Sequence, residues 1–494
     1  MSYVYMVFEV LSTIFLTPLI IHSLGDAEYG VYKLISSVTA YLLLLDLGMG
    51  NSVIRYVAKY KENDDKESCS KFFGVCVVFY AIVSFVVVIL GEALIANFGD
   101  IFAKGLSIYE IELSVKLLRL TVLNAAITLC TTAFSNVIVA YSKFTVSKGS
   151  LIIQIVLRLF LTFIALKAGY KSVAVVGINL LLTIIFRLFQ VLYVLFIIKL
   201  RPKFKQIDFS FIKDIIGYSF FILLQMVATQ INCYVDQTLL GVYVTSASVL
   251  IAVYGVGTQI VQYFQSIGQA LGGILMPGVV KMVEGGATPK QLQNEMVRIG
   301  RYSFAVLGVI FVGFMINGKA FLALWIGEGY TQSYYVSLIL MLAYIFILTE
   351  NIGTQILWAK NRHQLQSVVK FAIVVLNIIL TVLLIKWKPL IGATIGTFIS
   401  LVVGDVLCMN LVFKKEVGIS LKEYYLGLFK GILPCLVISG VFGYFVSLLR
   451  LSGMFGLIVN LLAILLVFGL TMMLFGFNGS EKKMLKSIIH KFIK

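Results

Sequence analysis

The sequence predicts an all-α polytopic membrane protein of about fourteen transmembrane helices, built as two parallel-repeat six-helix lobes plus two extra helices. Three observations predict it: a large apolar excess, apolar runs that follow one another along the whole chain, and basic residues that alternate between successive loops. The chain has 494 residues, 60% apolar and 13% charged, with a mean hydropathy of +1.00. Soluble chains are about half apolar and about a quarter charged. A soluble surface must stay largely polar, so this excess excludes a soluble enzyme, a disordered chain and a disulfide scaffold. Runs of about twenty apolar residues also exclude a β-barrel, whose strands are short and alternating.

The expected spans are 2–21, 29–48, 72–96, 116–138, 149–166, 173–198, 216–240, 247–275, 302–324, 335–357, 368–386, 391–413, 424–447 and 454–476. With the N-terminus in the cytoplasm, 28 of the 40 Lys and Arg fall in inner loops and the tail, and 8 in outer loops. The other four, Lys116, Arg119, Arg158 and Arg187, fall inside spans. This alternation is the positive-inside signature, and it accounts for the net charge of +17 without nucleic acid. Both termini are expected in the cytoplasm. The longest outer loop, 97–115, is too short to fold by itself. The first span covers 20 residues and carries no basic residue on its cytoplasmic side. The expectation is a late start relative to its relatives, or a misassigned start codon. No basic segment precedes it, so no cleavable signal is expected.

A repeat relates the two halves. Leu24-Gly25 matches Leu240-Gly241, and Lys59 and Glu62 match Lys281 and Glu284. At a constant offset of 219, Ala140/Ala359, Leu157/Leu376, Thr162/Thr381, Lys167/Lys386 and Gly177/Gly396 are among the identities. The unit holds six helices, an even number, so the halves enter from the same side as parallel repeats. The expected organisation is an N-terminal lobe at 1–200, a cytoplasmic linker at 201–215, a C-terminal lobe at 216–413, extra helices at 414–476 and an amphipathic tail at 477–494. Lysines and apolar residues alternate at helical spacing in that tail, as in a helix lying on an anionic leaflet.

The stretch Thr17-Pro18-Leu19-Ile20-Ile21-His22-Ser23-Leu24-Gly25-Asp26-Ala27-Glu28-Tyr29-Gly30 joins the first two spans. Leu45-Asp46-Leu47-Gly48-Met49-Gly50-Asn51-Ser52 and Arg55-Tyr56-Val57-Ala58-Lys59-Tyr60 follow. This resembles the N-terminal signature of bacterial Wzx-type polysaccharide-biosynthesis flippases, members of the multidrug/oligosaccharidyl-lipid/polysaccharide (MOP) exporter superfamily. The likeness is dense over residues 15–60; beyond them it rests on the 6 + 6 + 2 helix pattern. It implies a V-shaped, two-lobed, MATE-like transporter with alternating access. The implied cargo is an undecaprenyl-pyrophosphate-linked oligosaccharide moved from inner to outer leaflet, with a polysaccharide polymerase and glycosyltransferases as candidate partners. Ion coupling, to H+ or Na+, is implied by the same likeness, and no other cofactor is expected.

Charge inside a bilayer costs at least about 2.5–3.5 kcal/mol at a helix centre, so each ionisable residue in a span calls for a reason. Arg158 and Arg187 lie near the middle of spans five and six, and their repeat positions are Asn377 and Val406. One reading is a basic cavity for pyrophosphate or acidic sugars, which guanidinium binds in bidentate fashion. The competing reading is structural ion pairing or snorkelling. Lys116 and Arg119 are further substrate-binding candidates, or interfacial anchors. Glu9, Asp236, Glu350 and Asp405 are candidates for ion coupling, against structural pairing. Asp46, followed by Gly48 and Gly50, reads as an inner gate closed against a base such as Arg55, or as a helix cap.

The competing functions are a drug or small-cation exporter of the same superfamily, a lipid II flippase, and a membrane-embedded glycosyltransferase or polymerase. A cation exporter calls for an acidic or apolar cavity, and an enzyme of this kind for a sizeable outer loop. A GxxxxGK[ST] phosphate cradle is absent from the sequence, so ATP hydrolysis by this chain is not expected. The six cysteines fall in apolar spans or at cytoplasmic ends, and the three histidines are far apart, so neither a disulfide nor a metal site is expected.

Overall fold

A bilayer leaves the backbone no partner but itself, and the chain meets this with helices alone: every described element is helical. The computed structural model describes residues 2–204, 210–449, 451, 453–479 and 481–482. Positions 205–209 of the expected linker and 483–494 of the expected tail helix lie outside the described residues.

In chain order the helices are α1 (Ser2–Leu24), α2 (Asp26–Leu42), α3 (Met49–Glu62), α4 (Lys66–Phe102), α5 (Ile108–Cys130), α6 (Thr132–Ala140), α7 (Phe144–Lys167), α8 (Ser172–Leu192), α9 (Ser210–Tyr243) and α10 (Ser248–Glu284). After them come α11 (Pro289–Trp325), α12 (Ser333–Thr349), α13 (Asn351–Ala359), α14 (His363–Ile385), α15 (Pro389–Leu401), α16 (Met409–Val412), α17 (Leu421–Phe429), α18 (Ile432–Ser447) and α19 (Gly453–Thr471). Ten described helices are long and apolar enough to cross a membrane, or twelve if each of two bent pairs, α12–α13 and α17–α18, is one span. The expected span 216–240 falls within α9, and 247–275 matches α10 to within one residue at its start. The expected outer loop 97–115 is largely helical: α4 runs to Phe102 and α5 begins at Ile108. Ser107 and Glu110 cap α5 reciprocally, which satisfies the donors at its exposed first turn. Thr288 and Gln291 do the same for α11, with Pro289 opening the helix.

The chain forms two compact units, residues 1–255 with 370–396, and 256–369 with 397–494. In the first unit, α4 packs on α5, α5 on α8, α1 on α7 and α3 on α6. Its inner core joins Met49, Val53 and Val57 of α3 to Phe73, Cys76 and Tyr80 of α4 and to Val137 and Ile138 of α6. Large apolar side chains such as Phe85, Ile89, Phe160 and Leu188 remain exposed. In a chain that spans a bilayer they meet acyl chains, which are as apolar as a protein core.

The Gly-Asp-Ala-Glu-Tyr-Gly stretch has a structural task in this unit. Glu28 is buried and its Oε1 accepts from the Ser172 backbone N–H (3.0 Å) and hydroxyl (2.5 Å), at the first turn of α8. A carboxylate there also meets the positive end of that helix. Tyr29 is fully buried. A side chain at Gly30 would collide with the Ser248 carbonyl, so only glycine lets α2 come so close to the start of α10.

In the second unit α11 is the central element, packed by α12, α17, α18 and α19. Arg301 on α11 is 5% exposed. Its Nε and Nη2 donate to Glu481 (2.7 and 3.0 Å), Nη1 to the carbonyls of Gly427 and Lys430 (2.9 and 2.6 Å), and Nη2 also to the Gly476 carbonyl (2.8 Å). One guanidinium thus ties together the ends of α17 and of the segment after α19.

Candidate functional site

The first unit contains the two mid-span arginines. Arg187 sits five residues before the end of α8 and lines a cavity of about 220 Å³. Gln154 of α7, Asn136 of α6, and Thr183 and Gln190 of α8 share that lining. Arg187 makes one long hydrogen bond, Nη1 to Gln190 Oε1 at 3.4 Å. The Asn136 amide nitrogen is buried without a partner. Donors that the fold leaves unused around a small polar cavity suit an anionic, oxygen-rich group.

Arg158 on α7 is half-buried, and its Nε is buried without a hydrogen-bond partner. Its charge acts on Tyr5 of α1 and Tyr32 of α2. Tyr5 is also hydrogen-bonded to Glu9. The structure thus gathers Arg158, Tyr5 and Glu9 through the α1–α7 contact. Lys116 and Arg119 are exposed on α5, in its third and fourth turns.

Asp46 ends a 3-10 turn after α2, where Leu47 (φ 52°) and Gly48 (φ 71°) both adopt left-handed backbone. The break redirects the chain into α3, and a non-glycine residue in this region carries strain of order 1 kcal/mol. The Asp46 carboxylate accepts from the Tyr80 hydroxyl (2.7 Å) and from the backbone N–H groups of Gly48 and Gly50. Gly50 adjoins Asn136: a Cβ built at Gly50 would stand 2.9 Å from the Asn136 amide nitrogen. The break at Asp46 therefore borders a residue of the Arg187 cavity. Arg55 is exposed on the polar face of α3.

Asp236 on α9 is 3% exposed and accepts from the Tyr254 hydroxyl of α10 and the Thr381 hydroxyl of α14 (3.1 Å). Thr381 also bonds Asn377 (2.9 Å), which donates to Asn232 (2.7 Å). In the second unit Glu350 stands at the 41° break between α12 and α13. It is brought together with Asp405, which lies in the π-helical stretch Val402–Cys408.

Sequence reasoning scanned ionisable residues and so missed the amides and hydroxyls that organise these clusters: Asn136, Gln154 and Gln190, Asn377 and Thr381, and, bonded to Glu350, Asn410 and Tyr425. Their one visible signal is a polar residue recurring on one face of an apolar span. It also placed Arg301 in a loop, whereas α11 carries it into the interior.

The family model described as polysaccharide biosynthesis protein matches residues 1–283, more than half of the chain. The chain belongs to this family, that of the Wzx-type flippases. No curated protein sequence matches it. Among solved structures it is similar to a lipid II flippase MurJ in an inward closed conformation, with 14% identity, a TM-score of 0.72, and coverage of 95% of this chain and 96% of that one. It is also similar to an inward-facing multidrug-resistance MATE transporter, with 14% identity, a TM-score of 0.67, and coverage of 83% and 96%. A third is a MOP superfamily transporter from Pyrococcus furiosus with a binding pocket of reversed polarity, at 13% identity, a TM-score of 0.55, and coverage of 84% and 95%. At these identities the likeness shows the fold, the all-helical one of those three proteins. The family member described here is a multi-pass membrane flippase or transporter, not an enzyme.

Proposed function

We propose that this chain flips a polyprenyl-pyrophosphate-linked oligosaccharide from the inner to the outer leaflet of the bacterial plasma membrane. Alternating access of the lobes at 1–200 and 216–413 drives the movement, with both termini cytoplasmic. The observation that carries the reading is the Arg187 cavity, a small polar chamber with unused donors inside an apolar helical unit. Arg187 binds the pyrophosphate or an acidic sugar, and Arg158, with its unsatisfied Nε, adds a second guanidinium in the same unit. Lys116 and Arg119 extend the basic surface toward the outer end of α5. Glu9, Asp46, Arg55, Asp236, Glu350 and Asp405 serve gating or ion coupling.

The prenyl tail needs an apolar path. The second unit has a cavity of about 980 Å³ lined by Phe304 and Val312 of α11 and by Leu433, Val437 and Val441 of α18. That cavity also supports a second reading, export of an amphipathic drug. Deleting the gene in its native host separates the two. Accumulation of a lipid-linked oligosaccharide at the cytoplasmic face, with loss of surface polysaccharide, is the expected result. Unchanged surface glycan with greater sensitivity to cationic drugs would overturn the flippase reading in favour of the exporter.

A further inference from the structure

Glu350 is 2% exposed and occupies the residue between α12 and α13. Its Oε1 is well served: it accepts from the Tyr425 hydroxyl of α17 and from the Asn410 amide of α16 (3.1 Å). The same amide nitrogen reaches the Tyr425 hydroxyl oxygen at 2.7 Å. With both of its partners oxygens, the Asn410 amide is oriented with Nδ2 toward Glu350, which leaves Oδ1 as the far atom. Two buried acceptors then remain without any donor, Glu350 Oε2 and Asn410 Oδ1. The charge of Asp405 acts on Glu350, and that of Glu350 on Tyr424 and Tyr425. Tyr424 spends its hydroxyl on the Thr349 carbonyl (3.0 Å).

A buried carboxylate next to a second acid, with one oxygen unpaired, is an expensive arrangement. One proton resolves it. On Oε2 it removes the charge. With Asn410 Nδ2 and the Tyr425 hydroxyl already donating to Oε1, Oε2 is the oxygen left to carry it. We propose that Glu350 is a proton-exchange site of this transporter, loaded at the break between α12 and α13 and held by Asn410 and Tyr425. The proton comes from solvent and returns to it; only the O–H bond at Oε2 forms and breaks. This deepens the ion-coupling part of the flippase reading by naming the ion and its carrier in the second unit.

The test is infrared difference spectroscopy of the full-length protein in liposomes, stepped through pH without cargo. The expected result is a protonated-carboxyl band that titrates, is lost in Glu350→Gln, and survives in Asp405→Asn. Glu350→Gln keeps the shape and can retain both Oε1 hydrogen bonds. Should it fail to insert, Asn410→Leu decides, because removing the Nδ2 donor to Oε1 must shift the band of the wild-type acid. A band unchanged in both variants overturns the proposal. So does a band that vanishes on adding Na+ at constant pH, which would make the site a sodium site. No cargo enters the measurement, so failure here leaves the oligosaccharide reading intact, and loss of that reading leaves the band.

Discussion

Arg187 in the first unit and Arg301 in the second are chemically identical, and the fold uses them in opposite ways. Every donor nitrogen of Arg301 is engaged, by a carboxylate and three carbonyls, at 5% exposure. Arg187 has one long hydrogen bond and faces a polar cavity. A saturated guanidinium has no donor to offer a ligand, so its loss is felt in folding. An unsaturated one holds donors in reserve, so under the proposed function its loss should be felt in transport. The acids divide along similar lines. Glu28 is fully engaged at the start of α8, while Glu350 has one oxygen served and one not.

The largest expected effect comes from Arg301→Ala. It takes the guanidinium from the buried Glu481 carboxylate and from three carbonyls, a loss of about 3–5 kcal/mol for a broken buried pair. Membrane abundance and the melting temperature in detergent should both drop sharply. A variant of normal stability would erase the contrast with Arg187. Next is Arg187→Ala, with abundance unchanged and export reduced on the order of tenfold, as expected for about 1.4 kcal/mol of lost binding. Arg158→Ala should fall in the same direction. Lipid-linked oligosaccharide in the outer leaflet is the readout, and normal export in both variants would remove the basic cavity from the mechanism. Gly30→Ala tests close packing with no charge involved. Forcing α2 away from Ser248 should destabilise by about 1–3 kcal/mol, read as a lower melting temperature, with export following abundance alone. Lys171→Ala is the smallest. Its ammonium lies 3.6 Å from Glu28 but is 59% exposed, and exposed pairs are worth about 0–1 kcal/mol. The melting temperature should barely move, whereas Glu28→Ala, which strips the cap from α8, should lower it clearly.

The sequence by itself determined the class and the family. An apolar excess of this size admits only a membrane body, and the alternation of Lys and Arg orders the spans, because both depend on composition along the chain and on nothing distant from it. The Gly-Asp-Ala-Glu-Tyr-Gly and Leu-Asp-Leu-Gly-Met-Gly stretches pointed to the flippase family for the same reason: they are local. Even the mid-span arginines were visible, since each is a lone charge in an apolar run. What only the tertiary structure decided is which charges have partners. Asn136 meets Gly50 across 86 positions, Thr381 meets Asp236 across 145, and Glu481 meets Arg301 across 180. Periodicity within a helix says which face a residue occupies, but not which helix lies opposite. In hydrocarbon, where apolar faces attract one another without preference, that choice rests on close packing and on the pairing of buried polar groups.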